Sequence, residues 1–574
     1  MSDATIVHVL RRHAEQRGGE RAFEFLHGGA AALRQLGFAH LDRLAGAVAG
    51  WLARDRDRAP VLLVFEPGLE FVVAFLGCLA AGRPAVPVRP PRCADDVAWL
   101  RRVQAKVGAG RLLVDATSHG PLAALGADVL DWLGDDAAVD DHGQARPGDW
   151  PSADATAFVQ FTSGSTGDPR GVIVRHANLV DNQRVIAAAF GHDQATTVVG
   201  WLPHYHDMGL IGNVLQPLFL GRPCALMAPT TFLQRPIRWL RAIAERRAVT
   251  SGGPNFAFQH CVRAIGERDL AAVPKLDLSG WRLAFVGAEP VRAATMAAFA
   301  ERFAPFGFAA GALYPCYGLA EATLMLTGGR AGGGVARVAL DREGLAAGRA
   351  TPAAAGDAAE VVGCGHARGD NAVRIVDPED RTPVPDAHVG EIWATGPSIA
   401  AGYFCDATAT EQRFGGRLRD DDGTRYLRTG DLGFVRDGQL FVTGRLGSRL
   451  VLNGRKLYPQ DIEDVLVALH PAFRPCGAAA FCVDTAVGAR LVVVQEVRGA
   501  AIASLDPEAV LTAARGVVSA RFGVRLDDLV PTTDALPRTS SGKIRHHEAR
   551  RRYLAEGFAR AMPTAPANDG ERDG

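Results

Sequence analysis

The sequence lacks an excess of charge of either sign, because its 63 basic side chains are balanced by 63 acidic ones. A chain without net charge has no overall field that would attract nucleic acid or an anionic membrane. The apolar stretch FVVAFLGCLAAG (71–82) is shorter than the ~20 residues that span a bilayer, and the N-terminus lacks the pattern of a signal peptide. We therefore expect a cytoplasmic protein with no integral membrane segment and no nucleic-acid partner.

Cysteine pairs with the spacing of redox or zinc sites are missing as well. The nine cysteines are scattered and form no C-x-x-C pair, a distribution typical of reduced and mostly packed thiols. Apolar residues, in contrast, are plentiful. A chain of 574 residues that is 48% hydrophobic can bury a large core, and it predicts two or more domains.

Short apolar runs alternate with helical patterns along most of the chain. RAPVLLVF (58–65), RLAFVGA (282–288) and GEIWATG (390–396) are bounded by glycine, proline or charge, and helical repeats such as IRWLRAIAERR (237–247) lie between them. This alternation predicts α/β layers with largely buried strands.

The composition changes at two places. From about 330 to 360 the chain is rich in alanine and glycine, which predicts an insertion rather than core, with one short helix at DREGLAAGR. After FVTGRLGSR (441–449) a smaller unit begins, with its own helical pattern and apolar strand. The predicted organisation is an N-terminal domain over 1–444, a hinge over 445–449, a C-terminal domain over 450–558 and a disordered tail over 559–574.

A loop rich in glycine, serine and threonine stands at FTSGSTGDPRG (161–171). Backbone N–H groups and hydroxyls of such a loop can contact phosphate oxygens, and Arg170 adds a cation. The candidate phosphate ligands are Thr162, Ser163, Gly164, Ser165, Thr166 and Gly167. The loop is not a Walker A motif, and such a stretch taken alone is more often a flexible surface loop.

Further candidate motifs follow along the chain. GAEPVRAAT begins at Gly287, directly after an apolar run, where the loops of parallel sheets form ligand crevices. YPCYGLAEAT offers the ring of Tyr317 for a base and the carboxylate of Glu321 for a hard cation such as Mg²⁺. Asp431, in YLRTGDLGF, suits a pair of ribose hydroxyls. Each of these residues alone could instead be a core, turn or surface residue.

In their order along the chain, FTSGSTGDPRGV, GAEP, YGLAEAT, YLRTGDLG and RTSSGK resemble the motifs of the adenylate-forming superfamily. This superfamily contains acyl-CoA synthetases, peptide-synthetase adenylation domains and luciferase-like enzymes. The likeness extends from about residue 5 to about residue 555. Within the superfamily, the chain most resembles the fatty acyl-AMP ligases. The stretches that carry this narrower resemblance are WLPHYHDMGLIG, SGGPNFAFQHCVR, VVGCG, GEIWATGPSIAAGYF and NGRKLYPQDIE.

The resemblance implies a fold and a reaction. The fold is an α/β adenylate-forming fold, with a large N-terminal multi-sheet domain and a small α+β C-terminal lid that swings about GRLGS. In the reaction, a medium- or long-chain fatty acid attacks the α-phosphate of Mg-ATP and pyrophosphate leaves. The acyl-adenylate then passes its acyl group to the phosphopantetheine thiol of an acyl carrier protein, which acts in trans in a polyketide or lipopeptide pathway.

The resemblance also implies roles for individual residues. The loop from Thr162 to Gly167 would hold the β- and γ-phosphates. Nucleotide contacts would come from Gly287, Ala288, Glu289, Tyr317, Gly318, Asp431 and Arg445, with Ala288 and Tyr317 against adenine and Asp431 and Arg445 at the ribose. The catalytic set would be Lys543, which reaches the α-phosphate and carboxylate, Glu321, which holds magnesium, and His206 of the acyl-site loop.

The chain departs from the family pattern at two points. Gly447 and Ser448 stand at the pivot, where relatives commonly have Lys-Asp, and glycine widens the accessible backbone angles. Arg170 replaces a lysine that is commoner there, which keeps the charge but changes its geometry. The insertion lies where fatty acyl-AMP ligases carry a segment that hinders the lid rotation used by acyl-CoA synthetases, and a neutral surface loop is the less favoured alternative.

Four alternatives stay open from the sequence. The chain could be an acyl-CoA synthetase of the same fold, or an inactive acyl- or nucleotide-binding relative. It could activate an amino acid, with Asp207 holding the ammonium group. The triplet of His204, His206 and Asp207 could also bind a metal, although no further ligands cluster with it.

Overall fold

The computed structural model of the protein describes residues 4–26, 34–55, 58–131, 133, 150–162, 169–353, 358–420, 423–448, 450–452, 455–485, 488–538 and 544–560. The chain divides into two compact units. The first is formed by Met1–Ala339 and Glu360–Thr443, and the second by Leu340–Ala359 and Gly444–Gly574. Among the described helices, none combines the length and hydropathy needed to cross a bilayer.

The first sheet of the N-terminal unit has six described strands. In spatial order they are Ala127–Val129, Arg111–Val114, Val61–Val64, Ala85–Val88, Thr156–Thr162 and Arg170–Arg175. All neighbours are parallel except the last two, which form an antiparallel hairpin. Successive residues of Val61–Val64 pack into two different hydrophobic clusters. A strand buried on both faces has no polar alternation, which explains the continuous apolar run in the sequence.

A second, larger sheet of the same unit has nine described strands. Their spatial order is His366–Ala367, Met325–Gly328, Leu313–Gly318, Leu283–Val286, Thr250–Gly253, Val198–Gly200, Cys224–Met227, Arg21–Leu26 and Gln35–Gly37. The strands from Leu313–Gly318 to Arg21–Leu26 are parallel. One face packs on the core shared with the first sheet, and the other packs on an aromatic cluster around Trp239 and Trp281.

Helices cover both of these sheets. They are Ile6–Arg17, Phe38–Ala53, Leu69–Ala80, Ala94–Val107, Ala116–Leu122, His176–Phe190, Gln216–Leu220, Pro229–Gln234, Ile237–Arg246, Asn255–Ala264, Glu267–Ala271 and Ala293–Phe303, with a π-helix at Met208–Leu215. The helix Leu69–Ala80 contains most of the longest apolar stretch discussed above, and residues 69–79 are all buried except Glu70. That stretch is therefore core.

A four-stranded sheet completes the N-terminal part, in the order Ala372–Val376, Gly390–Thr395, Leu427–Arg436 and Gln439–Arg445, with the helix Ala407–Phe414 beside it. Along the chain, the strands Arg337–Asp341 and Ala358–Val362 lie between these two sheets and pair with each other. The short helix Arg342–Ala346 follows the first of them. The composition predicted this helix.

The second unit is smaller and has its own hydrophobic core. Its strands form a three-stranded sheet, Phe473–Thr485, Gly488–Val497 and Leu526–Thr532, and a two-stranded one, Leu450–Leu452 and Arg455–Leu457. The helices Pro459–Val467, Pro507–Phe522 and His546–Ala555 pack on these strands. Segment 340–359 also belongs to this unit, although both of its ends continue into the N-terminal unit.

Candidate active site

The glycine-rich loop connects two antiparallel strands. Thr162 pairs with Arg170 and Phe161 pairs with Gly171, so the chain enters and leaves the loop at neighbouring points of the sheet. A Cβ atom on Gly171 would lie 2.6 Å from Val159 Cγ1, which explains the glycine at the exit. Ser163, Gly164, Ser165, Thr166 and Gly167 lie outside the described residues, as does the side chain of Thr162. Their predicted contacts with phosphate stay predictions.

The GAEP loop lies where a nucleotide base is predicted to bind. Gly287 follows the strand Leu283–Val286, next to the parallel strand that carries Tyr317 and Gly318. Ala288 has a φ of 65°, a left-handed conformation that non-glycine residues adopt rarely. A Cβ atom on Gly318 would lie 1.6 Å from the carbonyl oxygen of Leu324, so only glycine fits there. The two loops therefore lie at one edge of the sheet.

Glu289 has a contact that its motif did not predict. Its Oε1 accepts a hydrogen bond of 2.6 Å from the backbone N–H of Phe256, in the first turn of the helix Asn255–Ala264. Asn255 Oδ1 in turn accepts a hydrogen bond of 3.0 Å from the backbone N–H of Arg292. The carboxylate of Glu289 thus accepts one of the N–H groups that have no partner within the helix at its N-terminus, and it fixes the GAEP loop against that helix.

Tyr317 and Asp431 come together from different sheets. The Tyr317 hydroxyl donates a hydrogen bond of 2.8 Å to Asp431 Oδ2. Asp431 follows Gly430, whose φ of 67° lies in the left-handed region and whose N–H donates to Glu391 Oε1 at 3.1 Å. Glu391 is buried and also pairs with Arg428 at 2.9 Å. The residues predicted for adenine and ribose are therefore adjacent, and a buried carboxylate holds the turn beneath them.

Glu321 is buried, with 9% of its surface exposed, in the short 3-10 turn Ala320–Ala322. Its Oε1 accepts a hydrogen bond of 2.7 Å from the hydroxyl of Tyr403. Burial raises the pKa of Tyr403 above its usual range, and the negative charge of Glu321 adds to that shift. The tyrosine therefore remains a protonated donor at any physiological pH.

A network of buried side chains supports the turn that carries Glu321. The Asn182 amide donates to the Met325 carbonyl and to Ser398 Oγ, both at 2.9 Å, and its Oδ1 accepts from the Met325 N–H. Thr323 has a φ of 63° and donates to the Ser398 carbonyl at 2.7 Å. A positive φ at a β-branched residue costs energy and persists only where neighbours enforce it.

The acyl-site loop predicted from HYHDMG contains a close histidine–carboxylate pair. His206 Nδ1 lies 2.6 Å from Asp207 Oδ1. His204 instead packs its ring on Phe71, with centroids 4.0 Å apart, and burial lowers its pKa to about 3. After this loop, the π-helix Met208–Leu215 buries nearly all of its side chains.

The alternative of a metal site in this loop finds no support. Within the described part of the chain, which includes all three residues, no group of three or more histidine, cysteine, aspartate or glutamate side chains could hold a metal ion. A magnesium ion that is bound together with ATP needs fewer protein ligands, because phosphate oxygens and water complete its coordination beside one or two carboxylates. Glu321 fits that requirement: its Oε1 is bound to Tyr403, and Oε2 has no hydrogen bond among the described residues.

The remaining candidates lie in the second unit. Arg445 ends the strand Gln439–Arg445 and is exposed, and Gly447 follows it in a 3-10 turn. Lys543 lies outside the described residues, between Arg538 and Ile544.

The structure thus brings together Gly287, Ala288, Gly318, Tyr317 and Asp431, and it shows two partners that the sequence did not reveal, Tyr403 and Glu391.

Known proteins resemble this chain over most of its length. The family model for AMP-binding enzymes matches residues 10–404. The medium-chain-fatty-acid--[acyl-carrier-protein] ligase JamA of Moorena producens is 35% identical, over 96% of this chain and 95% of that protein. The long-chain-fatty-acid--AMP ligase FadD26 of Mycobacterium marinum is 34% identical, over 98% and 99%. A crystal structure of the fatty acyl-adenylate ligase from Legionella pneumophila, in complex with acyl adenylate and pyrophosphate, has a TM-score of 0.74 at 34% identity and 97% coverage of both chains.

The chain therefore belongs to the AMP-binding enzymes, and within them to the fatty acyl-AMP ligases of the adenylate-forming superfamily. Both the resemblance and the α/β adenylate-forming fold that the motifs predicted are confirmed. The roles of individual residues stay predictions, and they enter the proposal below.

Proposed function

We propose that this enzyme uses ATP to convert a medium- or long-chain fatty acid into an acyl-adenylate, and then transfers the acyl group to the phosphopantetheine thiol of an acyl carrier protein. The observation that carries the proposal is the match, over nearly the whole of both chains, to a ligase whose name specifies both the acid and the carrier protein. The contacts of Tyr317, Asp431 and Glu321 support the first step, because the first two, predicted to bind the nucleotide, are joined by a hydrogen bond, and the third, predicted to bind magnesium, is held by Tyr403.

In the first step, the carboxylate of the acid must approach a triphosphate, and like charges repel. The hairpin loop from Thr162 to Gly167 would bind the β- and γ-phosphates with N–H groups and hydroxyls, and Lys543 would place a positive charge at the α-phosphate. Adenine would lie between Ala288 and Tyr317. Asp431 would accept hydrogen bonds from the ribose hydroxyls, joined by Arg445.

Magnesium would be held by Glu321. When bound there, the ion would supply positive charge to the phosphate oxygens. The residues of this chain do the positioning: Tyr403 binds one carboxylate oxygen, and the Asn182 network fixes the turn.

The acyl chain would occupy the region after His206. The π-helix Met208–Leu215 and the helix Gln216–Leu220 contribute mostly apolar side chains there, which suit a hydrocarbon chain better than an ammonium group. Such an apolar lining favours a fatty acid over an amino acid. The names of the relatives specify medium-chain and long-chain fatty acids, and we propose the same range for this enzyme.

A carrier protein in trans would be the acyl acceptor, in a polyketide or lipopeptide type of pathway. Segment 340–359 supports acceptor selection, because it packs with the C-terminal unit while both of its ends continue into the N-terminal unit. Such a connection would restrain rotation of the lid. An acyl-CoA synthetase needs that rotation, so free CoA would be a poor acceptor.

The experiment is mass spectrometry of an intact holo-carrier protein after incubation with the enzyme, ATP, magnesium and a fatty acid. We expect a mass increase equal to the acyl group, and no increase with an apo-carrier that lacks the phosphopantetheine arm. Efficient acyl-CoA formation in parallel reactions without any transfer to the holo-carrier would show that the acyl-CoA synthetase alternative is correct.

A further inference from the structure

The segment from Ala400 to Phe404 runs beside the strand that leaves the phosphate loop. Tyr403 forms an antiparallel bridge with Val172. The N–H of Ile173 donates to the Gly402 carbonyl at 2.9 Å, and the N–H of Phe404 donates to the Gly171 carbonyl at 2.7 Å. This segment is therefore hydrogen-bonded to the beginning of the strand Arg170–Arg175, which follows the loop.

The same segment holds Glu321. The N–H of Ala400 donates to the Glu321 carbonyl at 2.9 Å, and the Tyr403 hydroxyl donates to Glu321 Oε1 at 2.7 Å. Tyr403 is only 5% exposed, and the Arg170 guanidinium lies over its ring at 5.8 Å from the centroid. One short stretch of chain thus contacts both the exit of the phosphate loop and the carboxylate predicted to hold magnesium.

We propose that Tyr403 is a positioning residue that fixes the carboxylate of Glu321 relative to the strand leaving the phosphate loop. A glutamate can rotate about its side-chain bonds, and a hydrogen bond to Oε1 selects one orientation. Oε2 is then presented to the cation without an entropy loss at the moment of binding. The inference rests on the proposed function, since it assigns Tyr403 a part in arranging magnesium and ATP together.

Tyr403→Phe tests the hydroxyl alone, because it keeps the buried ring and its contact with Arg170. We expect the Mg²⁺ concentration for half-maximal ATP–pyrophosphate exchange to rise by about 10- to 100-fold, the usual effect of removing a hydrogen-bond partner of a metal ligand. The KM for the fatty acid should be unchanged. Tyr553→Phe is the matched control, since it removes a 2.9 Å tyrosine–carboxylate hydrogen bond to Asp528 in the second unit.

A binding measurement provides a readout independent of turnover. The full-length protein would be titrated with Mn²⁺ in the presence of α,β-methylene-ATP, and free Mn²⁺ would be measured by electron paramagnetic resonance. We expect Tyr403→Phe to weaken Mn²⁺ binding by a similar factor, and Tyr553→Phe to leave it unchanged. In the Glu321→Gln background, Tyr403→Phe should add little, because the two residues act through one carboxylate.

A lowered Tm of Tyr403→Phe with an unchanged Mg²⁺ requirement and unchanged Mn²⁺ binding would overturn the inference and leave Tyr403 a packing residue. Full additivity of the two substitutions would also overturn it. A different result would contradict the proposed function itself. That result is a wild-type protein that shows no ATP–pyrophosphate exchange with any fatty acid, whatever the behaviour of Tyr403→Phe in the Mn²⁺ titration.

Discussion

The hydroxyl of Tyr317 donates a hydrogen bond of 2.8 Å to Oδ2 of Asp431, although the two residues are 114 positions apart. This contact joins the strand Leu313–Gly318 of the larger sheet to the strand Leu427–Arg436 of the four-stranded sheet. Asp431 is also the residue proposed to accept hydrogen bonds from the ribose hydroxyls. The proposed adenine and ribose contacts are therefore fixed relative to each other before the nucleotide binds.

Replacement of Tyr317 by phenylalanine should weaken nucleotide binding while it preserves the ring. A hydrogen bond to a charged group is worth about 1.5–3 kcal/mol, so we expect the KM for ATP to rise about tenfold or more and the KM for the acid to stay constant. Tyr317→Leu should raise the KM for ATP further, because it also removes the surface for adenine. Steady-state pyrophosphate release measures both constants. Equal KM values for wild type and Tyr317→Phe would mean that the hydroxyl does not orient Asp431.

Acidification should destabilise the N-terminal unit through its buried histidines. Burial lowers the pKa of His176 and of His192 to about 4 and that of His204 to about 3, against an ordinary value of 6.5. At a pH between 6.5 and these lowered pKa values, the histidines of the unfolded chain bind protons that those of the folded chain do not. The stabilisation is therefore complete above pH 6.5 and is lost as the pH falls, by up to about 1.4 kcal/mol per pH unit for each histidine.

Guanidinium unfolding at pH 7.5 and pH 5.5 measures this effect. We expect a lower transition midpoint at pH 5.5, and a smaller pH difference for His176→Gln than for the wild type. His388→Gln is the control, because His388 is exposed. A midpoint that does not change with pH, or the same pH difference in His176→Gln as in the wild type, would show that these histidines are not buried as neutral groups.

Apolar periodicity predicted much of the fold. The pattern IRWLRAIAERR corresponds to the helix Ile237–Arg246, and the run RLAFV contains the strand Leu283–Val286. These elements depend on neighbours a few residues away, which a sequence displays directly. The motifs likewise singled out Tyr317, Glu321 and Asp431, because the glycine and turn chemistry around them is local. The structure brings Tyr317 and Asp431 into contact, and the roles of all three residues stay predictions.

Contacts between distant segments were not predictable in the same way. A tyrosine in GPSIAAGYF is typical of core, and nothing in the stretch indicates that Tyr403 donates to a carboxylate 82 positions earlier. Glu289 was predicted as a nucleotide contact, yet its carboxylate also holds the N–H of Phe256, 33 positions away. Such pairs depend on tertiary packing, which one sequence without covariation does not reveal.

The alanine-rich segment should control the choice of acyl acceptor. Within the second unit, the Arg342 guanidinium lies over the ring of Phe522, 5.9 Å from its centroid, and Arg342 Nη2 donates to the Ala358 carbonyl at 3.1 Å. We expect that Arg342→Ala, and more strongly a shortening of RATPAAAGDAA (349–359), will raise acyl-CoA formation severalfold. Thioester formation with free CoA, followed by chromatography, is the measurement.

A wild-type enzyme that already makes acyl-CoA as fast as acylated carrier protein would contradict this account of the segment. Arg419→Ala serves as a control, because its exposed ion pair with Asp380 lies in the N-terminal unit and outside the insertion.

Lys543 should matter in only one half-reaction. A fixed cation at the α-phosphate stabilises charge that develops during adenylation, so Lys543→Ala should lower that rate by roughly two to three orders of magnitude. Transfer from chemically supplied acyl-AMP to a holo-carrier protein should change much less. Single-turnover rates, one from acid plus ATP and one from acyl-AMP, separate the two. Equal losses in both rates would assign Lys543 to folding or carrier binding.

We propose above that the apolar region after His206 receives a fatty acid for adenylation. ATP–pyrophosphate exchange, measured with a series of fatty acids of increasing length and with the common amino acids, tests it most directly. We expect exchange that depends on a medium- or long-chain fatty acid and is absent with every amino acid. Exchange that an amino acid drives and no fatty acid supports would contradict it.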